Sequence, residues 1–228
     1  MTSAIAKFHF APTEVSKGNL LKQGYSDHIY VTGNTSIDAL DYTLGKIPKD
    51  NSKFPQIDFN KKIILVTCHR RENFGEPLDR IFNALEKIKN KYQDVEIVFP
   101  VHLNPNVREK AFSKFADQKR VHLLEPLEYF DFVWFMKNSF LILSDSGGVQ
   151  EEAPHMNVPV IVLRENTERP EGVDAGVSFL AGSDENLILK YVDEFMDQKN
   201  REQFQERINP YGDGKASEKI LEILKSQL

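Results

Sequence analysis

The sequence is nearly without cysteine and has no long apolar run, and each shortage excludes a class of protein. Cys68 is the single cysteine, so no disulfide can form within the chain, which fits a reducing compartment. No apolar run approaches the roughly 20 residues that a membrane helix requires, and the N-terminal residues lack a basic-then-apolar targeting pattern. We therefore expect a soluble, cytoplasmic protein that makes no contact with a membrane.

Positive charge and the common cofactor motifs are also lacking. Lys and Arg number 29 against 34 Asp and Glu, and the net charge of −5 argues against a nucleic-acid partner. The histidine spacings match no zinc signature, and the glycine pair Gly147-Gly148 is not the G-x-G-x-x-G fingerprint of nicotinamide dinucleotide binding. We expect neither a metal nor a nicotinamide cofactor.

What the chain does contain is a regular alternation of apolar runs and amphipathic segments from residue 61 onward. Continuous, β-branched runs are typical of strands that are covered on both faces. Strands that alternate with helices through short connections indicate a doubly wound, parallel, Rossmann-like α/β sheet. The six runs cover residues 63–67, 95–101, 120–124, 140–144, 158–163 and 177–181.

The two ends of the chain do not fit that unit. Residues 1–45 contain their own short apolar runs and helical patterns, and residues 46–62, rich in Pro, Lys, Asp and Asn, predict a surface loop or linker. Residues 209–228 begin with a chain-breaking NPYGDG segment and continue as an amphipathic helix. We expect residues 63–208 to form the Rossmann-like domain itself.

The loop after the fourth run has the residues of a phosphate site. Ser146, Gly147 and Gly148 form a strand-to-helix turn, where glycines allow close approach and the first N–H groups of a helix are free. Glu152 lies one turn further on, in reach of the ribose hydroxyls of a nucleotide diphosphate bound there. The alternative interpretation is a tight turn with a capping serine and a solvated glutamate.

Three further loops follow strands of the same predicted sheet. His69 and Arg70 follow the first run, His102 follows the second, and Arg169 follows the fifth. Arginine favours phosphate recognition, and histidine can donate to a diphosphate or move a proton. The alternatives are surface loops whose charges pair with each other and, for His102, a purely structural histidine. Because carboxyl ends of parallel strands share one edge, we expect these loops to converge on one ligand site.

Five segments together give a resemblance to a known family. They are VTGNTSIDAL (31–40), CHRRENFGEPL (68–78), FPVHLNPNVRE (99–109), LSDSGGVQEEAP (143–154) and RENTERPEGVDAG (164–176). In this order they resemble the non-hydrolysing UDP-N-acetylglucosamine 2-epimerases. The resemblance implies a glycosyltransferase-B-like fold of two Rossmann domains, of which this chain matches the C-terminal half. It also implies interconversion of UDP-GlcNAc and UDP-ManNAc by elimination and re-addition of UDP, without metal or nicotinamide.

The resemblance also implies roles for individual residues. It assigns Ser146, Gly147, Gly148 and Arg169 to the diphosphate, Glu152 to the ribose, Leu127 and Phe132 to the uracil, His69 to catalysis or leaving-group stabilisation, and Arg70 and His102 to an activating second UDP-GlcNAc. The acidic groups that move the C2 proton are expected in the first domain.

The sequence is also compatible with two other functions. One is a transferase with the same glycosyltransferase-B architecture, and the other is a non-catalytic module that binds UDP-sugars. The expected ligands are UDP and UDP-GlcNAc, and the protein partner is either a separate N-terminal half or a second copy of the chain.

Overall fold

The chain forms two parallel sheets of very different size. The computed structural model describes residues 2–47 and 53–227. The N-terminal elements are α1 (Thr2–Ile5), β1 (His9–Ala11), α2 (Glu14–Lys22), β2 (Ile29–Val31) and α3 (Thr35–Leu44). β1 pairs in parallel with β2 alone among the described strands. The side-chain oxygens of Thr13 and Asn34 accept the N–H groups of Ser16 and Ser36, and so define where α2 and α3 begin.

The larger sheet has six strands, as the six apolar runs predict. They are β3 (Lys62–Thr67), β4 (Val95–Pro100), β5 (Val121–Leu124), β6 (Leu141–Ser144), β7 (Val160–Val162) and β8 (Ser178–Leu180). All their pairings are parallel, and their order across the sheet is β5-β4-β3-β6-β7-β8. The doubly wound, Rossmann-like prediction is therefore confirmed.

Helices connect these strands and follow the last one. They are α4 (Glu76–Lys91), α5 (Pro105–Phe115), α6 (Tyr129–Lys137), α7 (Gly147–Glu152), α8 (Pro170–Asp174), α9 (Glu185–Met196), α10 (Gln198–Gln205) and α11 (Ala216–Gln227). The helix that begins at Gly147 tightens into a 3₁₀ turn at Ala153, because Pro154 has no N–H to continue the α-helical pattern. Within the described residues, no helix has the length and apolar character to cross a membrane.

The large sheet separates two hydrophobic layers. Ile64 and Val66 of β3 face the layer that contains α4, α5 and α9, whereas Ile63 and Leu65 face the layer that contains α6 and α7. Because successive strand residues point to opposite faces, a strand buried on both must be apolar throughout. This explains the continuous apolar runs of the sequence.

The segment predicted as a surface linker is partly a component of the core. Ile57 is only 4% exposed, and the rings of Phe54 and Phe59 lie 4.7 Å and 4.9 Å from those of Phe135 and Trp134. Three apolar side chains spaced along a polar segment are enough to anchor it to α6. Residues 53–61 thus form a loop in which most residues are exposed, as expected, but one that is anchored to the core, while residues 48–52 of that prediction lie outside the described residues.

The C-terminal residues join the two sheets. Asp38 on α3 accepts the N–H groups of Ala216 and Ser217, at 3.1 Å and 2.7 Å, and so caps α11. The N–H of Asn34 donates to the carbonyl of Tyr211 at 2.8 Å. The hydroxyl of Tyr211 in turn accepts from the N–H of Gly172 on α8, at 3.0 Å. The chain end therefore connects α3 to the large unit.

Candidate functional site

The site lies where the winding of the large sheet reverses. The strand order runs outward from β3 through β4 and β5 in one direction, and through β6, β7 and β8 in the other. The loops after β3 and β6 consequently diverge and leave a crevice at the carboxyl edge, which is where doubly wound sheets bind ligands. The two strand ends are joined there by a hydrogen bond of 2.6 Å between the hydroxyls of Thr67 and Ser144.

Asp145, the first residue after β6, organises the loop after β3. Its side chain is fully buried, and its Oδ2 accepts from the backbone N–H groups of His69 and Arg70, both at 2.8 Å, and from Asn73 at 3.0 Å. Nδ1 of His69 lies 3.0 Å from the other oxygen, Oδ1. Burial opposes ionisation, but these donors outweigh it and hold the pKa of Asp145 below its ordinary value.

A cavity opens directly above this loop. Its volume is about 220 Å³. Five of the residues predicted for the ligand or activator sites line it: His69, His102, Leu127, Phe132 and Ser146. Small-molecule sites usually occupy about 300–1,000 Å³. The cavity is smaller than that range, so it corresponds to part of such a site rather than to a complete one.

The predicted phosphate turn borders the cavity through Ser146. The N–H of Ser146 donates to the Ser144 hydroxyl at 3.0 Å, which fixes the turn, and α7 begins at Gly147. A Cβ atom at Gly147 would lie 3.7 Å from the Nη2 atom of Arg169. The arginine and the glycine turn are therefore neighbours, as a shared anionic ligand would require.

Arg169 itself belongs to a second, charged cavity of about 280 Å³. Its Nε donates to the largely buried carboxylate of Glu151, which also accepts from the side-chain amide of Asn34 at 2.8 Å. The loop after β7 is in this way connected through α7 to the start of α3. Nη2 on the Gly147 side makes no hydrogen bond to a described residue.

Glu152 lies on the side of α7 that faces α6 and outside the cavity lining. Its neighbour there is the Tyr129 hydroxyl, and burial raises the pKa of that hydroxyl to about 12. Burial and the nearby charge of Glu151 raise the pKa of Glu152 to about 7, although the bond from Tyr129 lowers it. Near neutral pH this carboxyl is thus divided between its charged and neutral forms.

The two residues predicted for an activator site differ in placement. The ring of His102 stacks on that of His69, with centroids 5.7 Å apart and an interplanar angle of 24°, and its Nδ1 accepts the N–H of Asn104 at 3.1 Å. Arg70 is held through its backbone by Asp145, and its side chain is exposed. Both lie at the open rim of the crevice.

Sequence reasoning missed four side chains that shape this site. They are Asn34, Tyr129, Asp145 and Glu151. Only Asp145 had a visible signal, because an acidic residue directly after a buried strand must find donors at the sheet edge. The others act across elements whose packing is not recorded in local spacing.

Comparison with known proteins shows the family of the chain. A family model described as UDP-N-acetylglucosamine 2-epimerase matches residues 1–225. A Bacillus subtilis protein named UDP-N-acetylglucosamine 2-epimerase is 51% identical over 228 residues, which include 98% of this chain and 59% of that protein. The chain belongs to this family. The family is one of isomerases, and the resemblance of the five sequence segments is confirmed.

Solved structures of the epimerase family have the same fold. The UDP-GlcNAc 2-epimerase of Neisseria meningitidis, bound to UDP-GlcNAc, matches with a TM-score of 0.92 and 44% identity over 99% of this chain and 63% of that one. A complex of S. aureus MnaA with UDP matches with a TM-score of 0.89 and 46% identity, over 97% of this chain and 61% of that one. This chain therefore spans about three fifths of the length of the relatives it matches.

Proposed function

We propose that this chain forms the UDP-binding half of a UDP-GlcNAc 2-epimerase, which interconverts UDP-GlcNAc and UDP-ManNAc. The observation that carries the proposal is the cavity at the sheet reversal, where His69, Leu127, Phe132 and Ser146 meet. Family membership and the ligands named for the solved relatives support it. The same membership favours an isomerase over a glycosyltransferase-B-type transferase.

The nucleotide is proposed to lie along the cavity from its apolar to its polar end. Uracil packs against Phe132 and the chain at Leu127, and the diphosphate lies at the turn formed by Ser146, Gly147 and Gly148. Three observations support the phosphate position: the free N–H groups at the start of α7, the hydroxyl of Ser146 and the adjacent guanidinium of Arg169. Glu152, on the next turn of α7, accepts from the ribose hydroxyls.

The proposed reaction is an elimination followed by an addition. A base removes the proton from C2 of the sugar, and the C2–H electron pair forms a double bond to C1. The C1–O bond breaks at the same time, and its electrons leave on the diphosphate oxygen of UDP, beside His69. Re-addition of UDP to C1, with proton return to the opposite face of C2, gives the epimer. Arg70 and His102 at the rim are assigned to a second, activating UDP-GlcNAc.

The proton-transfer groups are proposed to lie in the part of the family's length that this chain does not span. Within the described residues, the lining of the 220 Å³ cavity contains no Asp or Glu. We assign residues 1–45 to the end of that preceding domain, 46–62 to the linker, 63–208 to the UDP-binding domain and 209–228 to the crossover helix. The small two-stranded sheet supports the first assignment, because two parallel strands do not make an independent domain.

The same lining also favours a second candidate function, a non-catalytic module that binds UDP-sugars. The two candidates differ in whether C2–H exchange occurs once the first domain of a relative is supplied. Incubation with UDP-GlcNAc in deuterated water, followed by NMR, should show no deuterium at C2 with this chain alone. Deuterium should enter when the first domain of a relative is added, either as a second chain or by fusion. If no deuterium enters at C2 even with the added domain, the non-catalytic binding module is the function that remains.

The UDP assignment itself is tested by titration calorimetry at pH 8, where Glu152 is mostly ionised. The chain should bind UDP in the range of tens to hundreds of micromolar, on the order expected of a one-sided site. Glu152→Ala removes charge-assisted ribose hydrogen bonds and should cost about 1.5–3 kcal/mol, roughly ten- to a hundredfold in affinity.

The control replaces another glutamate without touching the site. Glu109 on α5 is exposed and makes no hydrogen bond to a described side chain, so Glu109→Ala should bind like the parent. Cys68→Ser is unsuitable as a control, because Cys68 lines the cavity. Equal UDP affinity in Glu152→Ala and the parent would refute the ribose assignment. A folded parent that does not bind UDP would show that the site requires both domains.

A further inference from the structure

The two carboxylate oxygens of Asp145 have different surroundings, because the three hydrogen bonds to this side chain all go to Oδ2 and buried Oδ1 has none from a described residue. Oδ2 is used by three N–H donors, those of His69, Arg70 and Asn73. Oδ1 is left for the His69 ring, whose Nδ1 is 3.0 Å away. An ionised carboxylate accepts but cannot donate, so this contact is favourable only when Nδ1 carries the hydrogen.

The other ring nitrogen of His69, Nε2, faces the cavity rather than a carboxylate. The His69 side chain is 37% exposed and lines the cavity, and no described residue forms a hydrogen bond with its Nε2. When Nδ1 is protonated, Nε2 of the neutral ring is a free acceptor that faces the cavity. On taking up a second proton, the ring offers Nε2–H to an anion while its positive charge lies against Asp145.

We propose that Asp145 is a positioning residue that holds His69 as the Nδ1–H tautomer, so that Nε2 is the nitrogen that takes up a second proton and presents it to the ligand's diphosphate. The role assigned to the diphosphate rests on the proposed function, whereas the tautomer is a property of the free chain. A buried carboxylate is used in the same way to orient a histidine in serine hydrolases, where it fixes the tautomer without itself accepting the proton.

The neighbouring titratable groups leave Asp145 as the dominant influence on the ring. Cys68, next to His69 on the chain, stays neutral, because burial and the charge of Asp145 raise the pKa of its thiol. His102, after β4, contacts the face of the His69 ring by stacking and uses its Nδ1 to accept from Asn104, so it does not compete for Nδ1 of His69. Arg70 contacts Asp145 through its backbone N–H, which donates to Oδ2.

The test is ¹⁵N NMR of the histidine rings, in which protonated and unprotonated nitrogens have well separated shifts. The chain has six histidines, and the His69 signals are assigned by their loss in His69→Gln. In the free wild-type chain above the titration range, we expect Nδ1 protonated and Nε2 unprotonated. With UDP-GlcNAc bound, both nitrogens should stay protonated to a higher pH. A wild-type chain that is mainly Nε2–H would overturn the proposal, whether or not any variant folds.

Asp145→Asn supplies the decisive change. The amide oxygen can replace Oδ2 for the three N–H donors, and the amide nitrogen then faces Nδ1, which must become an acceptor. We expect the tautomer to reverse to Nε2–H and the ligand-induced protonation to disappear, because the neutral ring can then donate Nε2–H to the diphosphate without a second proton. An unchanged tautomer in this variant would contradict the proposal.

Asn73→Ala is the matched control, because Asn73 donates to the same Asp145 oxygen but is not its partner for the His69 ring. It should keep the Nδ1–H tautomer. If both variants shift the ring alike, Asp145 acts only by shaping the loop, and the proposal fails. If the wild-type chain shows the expected tautomer but binds no UDP-GlcNAc, the positioning role stands and autonomous ligand binding by this chain is refuted.

Discussion

The two parallel sheets of this chain follow the same local pattern but differ in how well their faces are covered. In the large sheet, β3 has four consecutive buried residues between helix layers on both sides. In the small sheet, β1 and β2 have only Ala11 buried, and α2, which connects them, has no buried residue. Parallel strands are stable when both faces are covered, and two strands alone are marginal.

The difference shows that a strand–helix–strand sequence does not by itself make a stable unit. The small sheet is instead supported from outside. Its following helix, α3, buries Ile37 and Leu40, contacts α6, α7 and α11, and is capped through Asn34. β1 and β2 each have one edge that pairs with no described strand, and further strands would add at these edges, which agrees with the proposal that residues 1–45 complete a preceding domain.

The largest expected difference between the two sheets is in hydrogen exchange. Amides of β3, β4 and β6 lie in the centre of the large sheet and should exchange only through global unfolding. Amides of β1 and β2 should exchange faster by on the order of a hundredfold or more, because local opening exposes few buried apolar contacts. Exchange followed by mass spectrometry on peptides from each sheet measures this ratio.

Hydrogen exchange of the two sheets can also be compared before and after the first domain of a relative is added. If that domain extends the small sheet, the exchange of β1 and β2 should slow while that of β3 stays unchanged. Equal protection of both sheets in the isolated chain would mean that the small sheet is stable as it stands. The small sheet would then need no further strands for its stability.

Two phenylalanine-to-alanine variants, one in each sheet unit, compare how much the two units contribute to the free energy of unfolding. Phe82 on α4 is 1% exposed and packs edge-to-face on Phe99 and Phe115. Phe82→Ala should reduce the free energy of unfolding by about 3–5 kcal/mol. Phe10 of β1 is half-buried beside Phe8 and Tyr30, and Phe10→Ala should cost about 1 kcal/mol or less.

Urea unfolding followed by circular dichroism gives both values. The two variants remove the same atoms, so they differ only in the environment of the ring. Similar losses in the two variants would show that the small sheet contributes to the cooperative core as strongly as α4 does.

The same contrast separates what the sequence could predict from what it could not. The six strands of the large sheet were predictable because burial on both faces forces continuous apolar runs, and their carboxyl-edge loops had to converge. The three-residue strands β1 and β2 lie in the short apolar runs of residues 1–45, but runs of that length do not show how the strands pair. α10 was missed because its sequence, QKNREQFQ, buries only Phe204 and has no apolar period.

For the site, the sequence indicated residue types but not their pairing. His69, Phe132 and Ser146 were brought together by topology alone, since each follows a strand or begins a helix at one edge. The partnership of His69 with Asp145 depends on two loops from strands adjacent in the sheet but distant in the chain. The neutral-range pKa of Glu152 depends on how deeply α7 is buried against α6, which no local pattern records.

The smallest expected effect concerns the junction between the two sheets. Asp38 on α3 caps α11, and Asp38→Ala should cost about 0.5–2 kcal/mol, as the loss of a helix cap usually does. The cost should fall mainly on α11, whose amides should exchange faster, while β3 is unaffected. Asp27→Ala is the control, because Asp27 is exposed and makes no hydrogen bond to a described residue.

The pH dependence of this junction follows from the pKa of Asp38. Burial raises that pKa, but the donors of Ser217 and Ala216 outweigh burial and leave it below its ordinary value. A carboxyl with a lowered pKa stabilises the folded state above the pKa of the unfolded chain, about 4, and loses this contribution as the pH falls through the folded value. The protection of α11 in the wild-type chain should therefore decline as the pH falls below about 5 and through the folded-state pKa, a decline that Asp38→Ala should lack. An identical acid response of α11 in both proteins would show that the cap does not hold this helix on α3.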